Sequence, residues 1–324
     1  MAPQVGTIQR FDPSPGDNSP DSITIGEGSI FVEYGNGASS TGGKGTSEIV
    51  QYDLSGHIVH SCDIAGSVDG LKYNPATETL WALQNQDGNS TLTLIDPETH
   101  AVSKPLSYED TSATRGYDDV VFEHGKTFLS YTNPLKDGDA VIVSLDGGNH
   151  PHGELETTPI LAQGAMGTNT VTHATHLVPL NDPDSLKTAP NGDLLLTSGS
   201  DGAIVDVHDA GKADQSVSYT QIADVPADAG LDDVIKTDAT SGTFYLTDTS
   251  DNQVLSFHVT DLNPHDYYAS VSSLGGFGEV DPNTGKFTLL VAAAGAHGLA
   301  FTPDEHHDPH RDMIQHGHEG YLFA

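Results

Sequence analysis

Cysteine and basic residues are scarce in this 324-residue chain. Its one cysteine is Cys62, which excludes an internal disulfide and a four-cysteine zinc site. Lysine and arginine total 12 against 46 aspartates and glutamates, which gives a formal net charge of −34. Because a surface of that sign repels nucleic acid and anionic membranes, we expect neither as a partner.

Long apolar runs and a leader are also missing. The sequence has no run of roughly 18 apolar residues, so it predicts no membrane-spanning helix. The segment after Met1 lacks the basic and apolar parts of a secretion signal. We therefore expect a protein that is secreted or periplasmic after removal of a leader, or alternatively a protein from the cytoplasm of a salt-adapted organism.

Several common catalytic motifs are absent. The chain has no P-loop, no dinucleotide-binding glycine motif, no Gly-x-Ser-x-Gly elbow and no cysteine–histidine nucleophile pair. No amphipathic helix of ordinary length is evident. Glycine (35 residues) and proline (18 residues) are frequent, as in a chain that turns every few residues. The composition therefore favours an all-β protein.

Six short segments of the chain resemble one another. Each has an acidic residue or a histidine, then a small or acidic residue, then a branched apolar one. The segments are 20–23, 68–71, 117–120, 183–186, 231–234 and 296–299, and their acidic or histidine positions are Asp21, Asp69, Asp118, Asp184, Asp232 and His297. Their spacings of 48, 49, 66, 48 and 65 residues are near the length of a four-stranded blade. The sequence predicts a six-bladed β-propeller that forms one domain over residues 1–324.

Two of the spacings are longer than one blade requires. We interpret residues 147–176 as a long loop. Residues 263–291 contain strand-like stretches, which leaves seven blades as an alternative. Blade five is predicted to contain residues 232–236, 243–247 and 253–257.

The two ends of the chain are predicted to share a blade. Residues 320–324 have the pattern of its second strand, and residues 6–11 have the pattern of a later strand. Such sharing would close the ring and cover the edges of the sheets. The histidine-rich stretch 305–318 is predicted to be a solvated loop.

Equivalent positions of a propeller face one central axis, so the six repeated residues should form a ring. Like charges in a tunnel raise one another's pKa or need a counter-ion. Calcium is the expected cation, with magnesium or manganese as alternatives. The predicted ligands are Asp21, Asp69, Asp118, Asp184 and Asp232. Alternatively, these aspartates only cap strand starts by accepting hydrogen bonds from backbone N–H groups.

The loops between the second and third strands of each blade should open on the same face as the ring. They carry amides, hydroxyls and acids that suit a polar ligand. The predicted substrate-binding residues are Tyr34, Asn85, Tyr131, Asn133 and Asp248. The predicted catalytic residues are Asp232 and His297. For His297 the roles of general base, metal ligand and polar plug stay open.

Three of the segments resemble a known superfamily. Residues 117–122, 183–186 and 231–234 are similar to the inner-strand segments of the six-bladed calcium-dependent hydrolases. That superfamily includes the diisopropylfluorophosphatases, the paraoxonases and the gluconolactonase/senescence-marker group. The resemblance implies that Asp21, Asp118, Asp184 and Asp232 bind calcium, and that Asp232 is also a candidate nucleophile or base.

The chain departs from this family pattern at the ring. Asp21 begins the segment that is Glu-Gly-Pro in the family, and aspartates replace the family's asparagines, so the site would be more negative. Residues 296–301 also resemble a segment of the streptogramin B lyases, propellers that open a cyclic ester by elimination with a histidine and magnesium.

These observations predict a metal-dependent hydrolase of an ester or lactone, with its active site at the top of the central tunnel. The expected partner is a small-molecule substrate, and the expected state is a monomer. Two alternatives remain: a non-catalytic propeller that binds a ligand or partner and holds a structural cation, and a C–O lyase of the streptogramin type.

Overall fold

The computed structural model describes residues 1–109, 114–148, 150–226 and 229–304. In these residues the regular structure is β-strand, apart from one 3₁₀ turn at Ser272–Leu274. The strands form six sheets arranged as the blades of a β-propeller, as the repeat predicts. No helix in the described part of the chain has the length and apolarity needed to cross a membrane.

The strands are numbered in chain order. The first thirteen are β1 (Gln4–Arg10), β2 (Pro20–Gly26), β3 (Ser29–Tyr34), β4 (Thr46–Asp53), β5 (Ile58–Ala65), β6 (Val68–Asn74), β7 (Thr79–Gln84), β8 (Thr91–Ile95), β9 (Leu106–Ser107), β10 (Tyr117–Glu123), β11 (Lys126–Tyr131), β12 (Ala140–Leu145) and β13 (Thr157–Ala162). The others are β14 (Met166–Asn169), β15 (Thr175–Leu177), β16 (Pro183–Thr188), β17 (Leu194–Ser198), β18 (Ala203–His208), β19 (Ser216–Gln221), β20 (Leu231–Ile235), β21 (Ser241–Asp248), β22 (Gln253–Thr260), β23 (Tyr267–Val271), β24 (Gly276–Val280), β25 (Phe287–Ala292) and β26 (Ala296–Pro303).

Each blade is an antiparallel sheet whose first strand lies nearest the axis. Blades one to three are β2–β5, β6–β9 and β10–β13, and blade four is β16–β19. Blade five has the order β20-β23-β24-β25, and blade six the order β26-β21-β22-β1. The innermost strands β2, β6, β10, β16, β20 and β26 contact one another in that order, and β26 contacts β2. The ring is therefore closed at six blades, and the seven-blade alternative is wrong.

Blades five and six exchange a hairpin, which corrects the predicted blade five. β20 is followed along the chain by β21 and β22, but these two strands lie in blade six beside β26. β20 pairs instead with β23. Strand length is consistent with this choice, because β20 and β23 have five residues each, whereas β21, β22 and β26 have eight each. Pairing strands of equal length leaves fewer unpaired backbone groups.

The first long gap, residues 147–176, contains strands where a loop was predicted. Within residues 147–176, β13 completes blade three, and the β14–β15 hairpin extends blade four, with β14 running parallel to β19. At the chain ends, β1 and β26 share blade six, so the predicted closure is confirmed. The predictions for residues 305–318 and 320–324 lie outside the described residues, and β21 holds the place beside β26 that 320–324 was expected to hold.

Apolar side chains fill the spaces between neighbouring blades. Phe244, Phe257, Tyr268 and Phe277 form one aromatic cluster that joins blades five and six, with ring centroids 4.8–6.4 Å apart. The exchanged hairpin β21–β22 thus packs against blade five, whose strand β20 precedes it in the sequence. Such aromatic burial stabilises the exchange.

The same irregularity recurs on the inner strands. The pairing of five of them shifts between the residue before the repeated aspartate and the residue two after it, for example between Pro20 and Ile23 and between Tyr117 and Val120. β26 shows a corresponding shift beside His297, where it pairs with β21. A bulge of this kind lets two consecutive side chains face the same side of a sheet.

We call the residue that follows each repeated aspartate or histidine the second bulge residue. In blades two and six it is a glycine, and there the backbone of the neighbouring inner strand lies very close. A Cβ atom on Gly298 would lie 2.4 Å from the carbonyl oxygen of Asp21, and one on Gly70 would lie 2.2 Å from that of Asp118. Backbone atoms cannot move aside as a flexible side chain does. These two glycines therefore keep blade six against blade one and blade two against blade three.

We expect Gly298→Ala to destabilise the protein by roughly 1–3 kcal/mol, because the added methyl group forces two inner strands apart. Thermal unfolding measures the effect. Gly35→Ala is the matched control, since a Cβ there meets its nearest atoms at 3.8 Å, an ordinary contact distance. Equal melting temperatures for the two variants would contradict this account of the ring.

Candidate functional site

A polar cavity opens at the end of the tunnel where the inner strands begin. We call it the upper cavity; its volume is about 260 Å³. All six residues predicted for the ring line it: Asp21, Asp69, Asp118, Asp184, Asp232 and His297. Four further acids also line it: Asp87, Asp182, and Asp119 and Asp233, which directly follow ring residues.

The bulges explain two acidic residues that the sequence interpretation did not single out. Asp119 and Asp233 follow Asp118 and Asp232 directly, and strict strand alternation would turn them away from the axis. Because of the bulge they line the same cavity as their neighbours. The signal was present in the sequence as two consecutive acids in the third and fifth repeats.

In blades one, three and five, the side chain of the second bulge residue accepts a hydrogen bond from the backbone of the next blade. The Leu71 N–H donates to Ser22 Oγ at 3.0 Å, and in the same way Leu186 N–H donates to Asp119 Oδ2 at 3.0 Å. The Leu299 N–H donates to Asp233 Oδ2 at 2.7 Å. The bulge interrupts the hydrogen bonding between the first two strands of a blade, which would leave these N–H groups without acceptors. The side chains of the neighbouring blade supply the acceptors instead.

Two lysines neutralise the buried bulge acids. The Lys187 ammonium lies 2.7 Å from Asp233 Oδ2, and the Lys72 ammonium lies 4.0 Å from Asp119 Oδ2. The Ser185 hydroxyl lies 3.2 Å from Asp119 Oδ2 and 2.9 Å from Asp233 Oδ1. These groups form a layer below the ring. Asp119 and Asp233 therefore stabilise the fold and are not available to a ligand.

One part of the ring carries its own positive charge. His297 Nδ1 lies 3.1 Å from Asp21 Oδ1 and 3.1 Å from Asp232 Oδ1. The negative charge of Asp232 raises the pKa of His297 to about 12, outweighing burial, which acts in the opposite direction. Burial raises the pKa of Asp232, and the charge of His297 partly offsets this. At neutral pH the imidazole is therefore protonated and donates to both carboxylates.

The other part of the ring consists of carboxylates alone. Burial, followed by the charge of Asp69, raises the pKa of Asp118 well above its usual value. Burial, followed by the charge of Asp232, does the same for Asp184. Burial raises the pKa of Asp69 to about 7, although a hydrogen bond with Asp118 acts against the rise. This group binds protons because it lacks a cation of its own.

The donor atoms of this second group fit a hard cation. One carboxylate oxygen from each of Asp69, Asp118 and Asp184 lies within 4.8 Å of the other two. Two oxygens bound to one calcium ion at about 2.3–2.6 Å can lie at most about 5 Å apart. An all-oxygen set of this spacing suits calcium better than zinc, which prefers nitrogen and sulfur ligands.

The structure brings only one predicted substrate-binding residue to the upper cavity. Asn133 lines it, and its amide donates to Asp87 Oδ1 at 2.9 Å. The remaining four are engaged elsewhere. The Tyr34 hydroxyl lies 2.6 Å from that of Tyr52 in the core, and Tyr131 packs on Tyr117. Asn85 Oδ1 accepts from the Ser67 N–H, and Asp248 Oδ1 accepts from the Gly295 N–H.

No family model and no curated protein matches this chain. The matches are to solved structures. The β-propeller domain of Myceliophteria thermophila Cps50 (Swd1) is 9% identical with a TM-score of 0.54, over 92% of this chain and 97% of that one. The Pseudomonas aeruginosa periplasmic gluconolactonase PpgL is 13% identical (TM-score 0.49, 87% and 88% covered), and a streptogramin B lyase is 14% identical (TM-score 0.49, 90% and 90% covered). Likeness at such identities concerns the fold alone. Membership of the calcium-dependent hydrolases stays a prediction.

We expect Lys187→Met to cost roughly 3–5 kcal/mol, because it leaves the Asp233 carboxylate buried without its counter-ion. Only 1% of Asp233 is exposed. Lys212→Met is the matched control, since Lys212 pairs with Asp209 on the surface, and we expect a loss within roughly 1 kcal/mol. Chemical denaturation measures both. If the two variants lost similar amounts of unfolding free energy, the layer below the ring would not be a buried ion-pair network that stabilises the fold.

The upper cavity also predicts the pH dependence of the chelated protein. A raised folded-state pKa means that the folded chain holds protons which the unfolded chain releases. For Asp69 this stabilisation is complete below the unfolded pKa of about 4 and is lost as pH rises through about 7. We therefore expect the melting temperature in chelator to fall between about pH 4 and pH 7, by roughly 3 °C for each kcal/mol lost.

Asp69→Asn should flatten this fall, whereas Asp214→Asn, a change on the surface, should leave it intact. Calorimetry across the pH range tests both variants. A melting temperature that rises with pH in chelator would show that the cavity does not dominate the linkage.

Proposed function

We propose that the protein is a metal-dependent hydrolase of a small ester or lactone, with its reaction centre in the upper cavity. The observation that carries the proposal is the division of the ring into two unlike groups. One group offers three oxygens to a cation, and the other pairs a carboxylate with a protonated histidine. Cleavage of an acyl C–O bond needs a positive charge near the carbonyl oxygen and a proton donor near the departing oxygen, and these two groups would supply them side by side.

The cation would be held by Asp69, Asp118 and Asp184. Calcium is the proposed ion, with magnesium or manganese as alternatives. When bound, it would supply polarisation of the substrate's carbonyl oxygen and neutralise the shared negative charge. The resemblance-based set differs, because it includes Asp21 and Asp232. In the structure those two carboxylates share the single positive charge of His297.

Asp232 and His297 would move the protons. Burial raises the pKa of Asp232, which makes its carboxylate a stronger base than an exposed aspartate. Asp232 would take a proton from the attacking water, and the protonated imidazole of His297 would give a proton to the departing alkoxide oxygen. Water thereby adds across the acyl C–O bond, and the products are a carboxylate and an alcohol. Asn133 would orient the substrate at the cavity edge.

The state of His297 favours hydrolysis over elimination. A lyase of the streptogramin type would use its histidine as the base that removes a proton from carbon, and a protonated imidazole has no free nitrogen lone pair for this purpose. The many carboxylates of the cavity also favour an uncharged substrate over an anion. A periplasmic or extracellular location remains the predicted compartment.

Metal content is the first test. We expect about one calcium per chain by elemental analysis and a melting temperature that falls on chelation. Asp118→Asn should lose most of the bound calcium, and the surface variant Asp214→Asn should keep it. No divalent metal together with an unchanged melting temperature would contradict the proposed cation site.

Turnover is the second test, on a panel of lactones and esters in oxygen-18 water. We expect one solvent oxygen in the product carboxylate. Asp232→Asn should lower kcat by roughly 10²–10⁴-fold while the protein still folds, because it removes the general base. Metal without turnover on any substrate would favour the binding propeller, and an unsaturated product without solvent oxygen would favour the lyase.

A further inference from the structure

A second cavity occupies the opposite end of the tunnel. We call it the lower cavity; its volume is about 310 Å³. The two cavities lie at the two ends of the same inner strands. On β16, for example, residues 183–185 line the upper cavity, and Lys187 with Thr188 lines the lower one. The proposed reaction does not use the lower cavity.

The charge of the lower cavity is opposite to that of the whole chain. Its lining includes Lys72, Lys187 and Lys236, which are three of only nine lysines in the sequence. Its lining residues, all in the described part of the chain, include no acidic side chain. Each of the three lysines has an acidic partner, but these partners, Asp119, Asp233 and Asp206, are not among the lining residues. In a protein of net charge −34, the lining thus gathers basic side chains where an anion can approach them.

The three ammonium groups differ in how well they are neutralised. Lys187 lies 2.7 Å from Asp233, and Lys236 lies 3.4 Å from Asp206 and 5.0 Å from the centroid of the Tyr267 ring. Lys72 lies 4.0 Å from Asp119, which is beyond hydrogen-bond range. Burial lowers the pKa of Lys72 to about 8; the negative charge of Asp119 opposes this fall, and the charge of Lys187 adds to it. Lys72 is therefore the ammonium group that a bound anion would stabilise most.

The remaining walls of the lower cavity are largely apolar. Ile25, Ile235 and Phe301 are half-buried there and leave hydrocarbon surface exposed to the cavity. An inorganic anion would contact the lysines but leave these walls in water. A short hydrocarbon chain that carries one charged oxygen group would satisfy both parts of the lining.

We propose that the lower cavity binds a small organic monocarboxylate, with its carboxylate on Lys72 and its hydrocarbon part against Ile25, Ile235 and Phe301. A carboxylate accepts more than one hydrogen bond, so Lys187 can share it with Lys72. The site is independent of the proposed hydrolase activity, because it involves neither the ring nor a cation.

Binding of hexanoate to the full-length protein, measured by calorimetry at fixed ionic strength, tests the proposal. Acetate keeps the charge without the tail, and hexanamide keeps the tail without the charge. We expect saturable binding of one hexanoate per chain and at least roughly tenfold weaker binding of the other two. Equal binding of all three compounds, or no saturable hexanoate binding, would overturn the proposal.

Variants locate the site. Lys72→Met should weaken hexanoate binding by roughly tenfold or more, since it removes a charged hydrogen-bond donor. Thr188→Glu should weaken it as well, by adding a carboxylate to the lining without removing a buried ion-pair partner. Lys104→Met, which removes an exposed lysine elsewhere, should leave it unchanged. Unchanged binding in whichever of Lys72→Met and Thr188→Glu folds would refute the site.

The measurement is repeated in chelator, because a carboxylate could also bind to a metal in the upper cavity. We expect hexanoate binding to persist without divalent metal. Loss of binding in chelator would assign it to the upper cavity and overturn the proposal. A protein that binds hexanoate but neither holds calcium nor hydrolyses lactones would retain this inference while the proposed function fails.

Discussion

The β-bulge at the start of each inner strand is the constraint on which the rest of the structure depends. It turns two consecutive residues toward the axis, so each blade presents two neighbouring positions to the tunnel, the second of which is glycine in blades two and six. The first residue of the pair forms the ring. The second is either small enough for close strand approach, as at Gly298, or a hydrogen-bond acceptor, as at Asp119. Ring chemistry and blade closure therefore come from the same dipeptide.

This arrangement separates acids with structural work from acids that are available to a ligand. Asp119 and Asp233 accept backbone hydrogen bonds from the neighbouring blade and face Lys72 and Lys187. Their charges are met within the protein. Asp118 and Asp184 have only like-charged neighbours in the ring, so their stabilisation has to come from protons or from a cation. The ring can carry an excess of negative charge because the acids of the layer below it are paired with lysines.

The period of the repeats was sufficient to predict the propeller, the blade number and the convergence of the six ring residues. It did not predict the hairpin exchange, because neighbours in sequence usually pair and the single-chain pattern contains no information on which strands match in length. It also did not identify Asp233, since strict alternation points that residue away from the axis. Tyr34 and Asp248 were assigned to a face from their place in a loop, but the local hydrogen bonds that hold them elsewhere depend on three-dimensional neighbours.

The family resemblance and the geometry differ on which carboxylates a cation would prefer. The resemblance selects residues by position in the repeat, which treats the blades as equivalent. The histidine of the sixth repeat removes that equivalence, because one imidazolium lies beside both Asp21 and Asp232 and offsets one of their two negative charges. A cation placed there would have to displace or deprotonate His297, whereas at Asp69, Asp118 and Asp184 it would replace protons on carboxyl groups whose pKa values burial and neighbouring negative charges raise. The second exchange costs less free energy, so the single histidine determines where on the ring a cation is expected to bind.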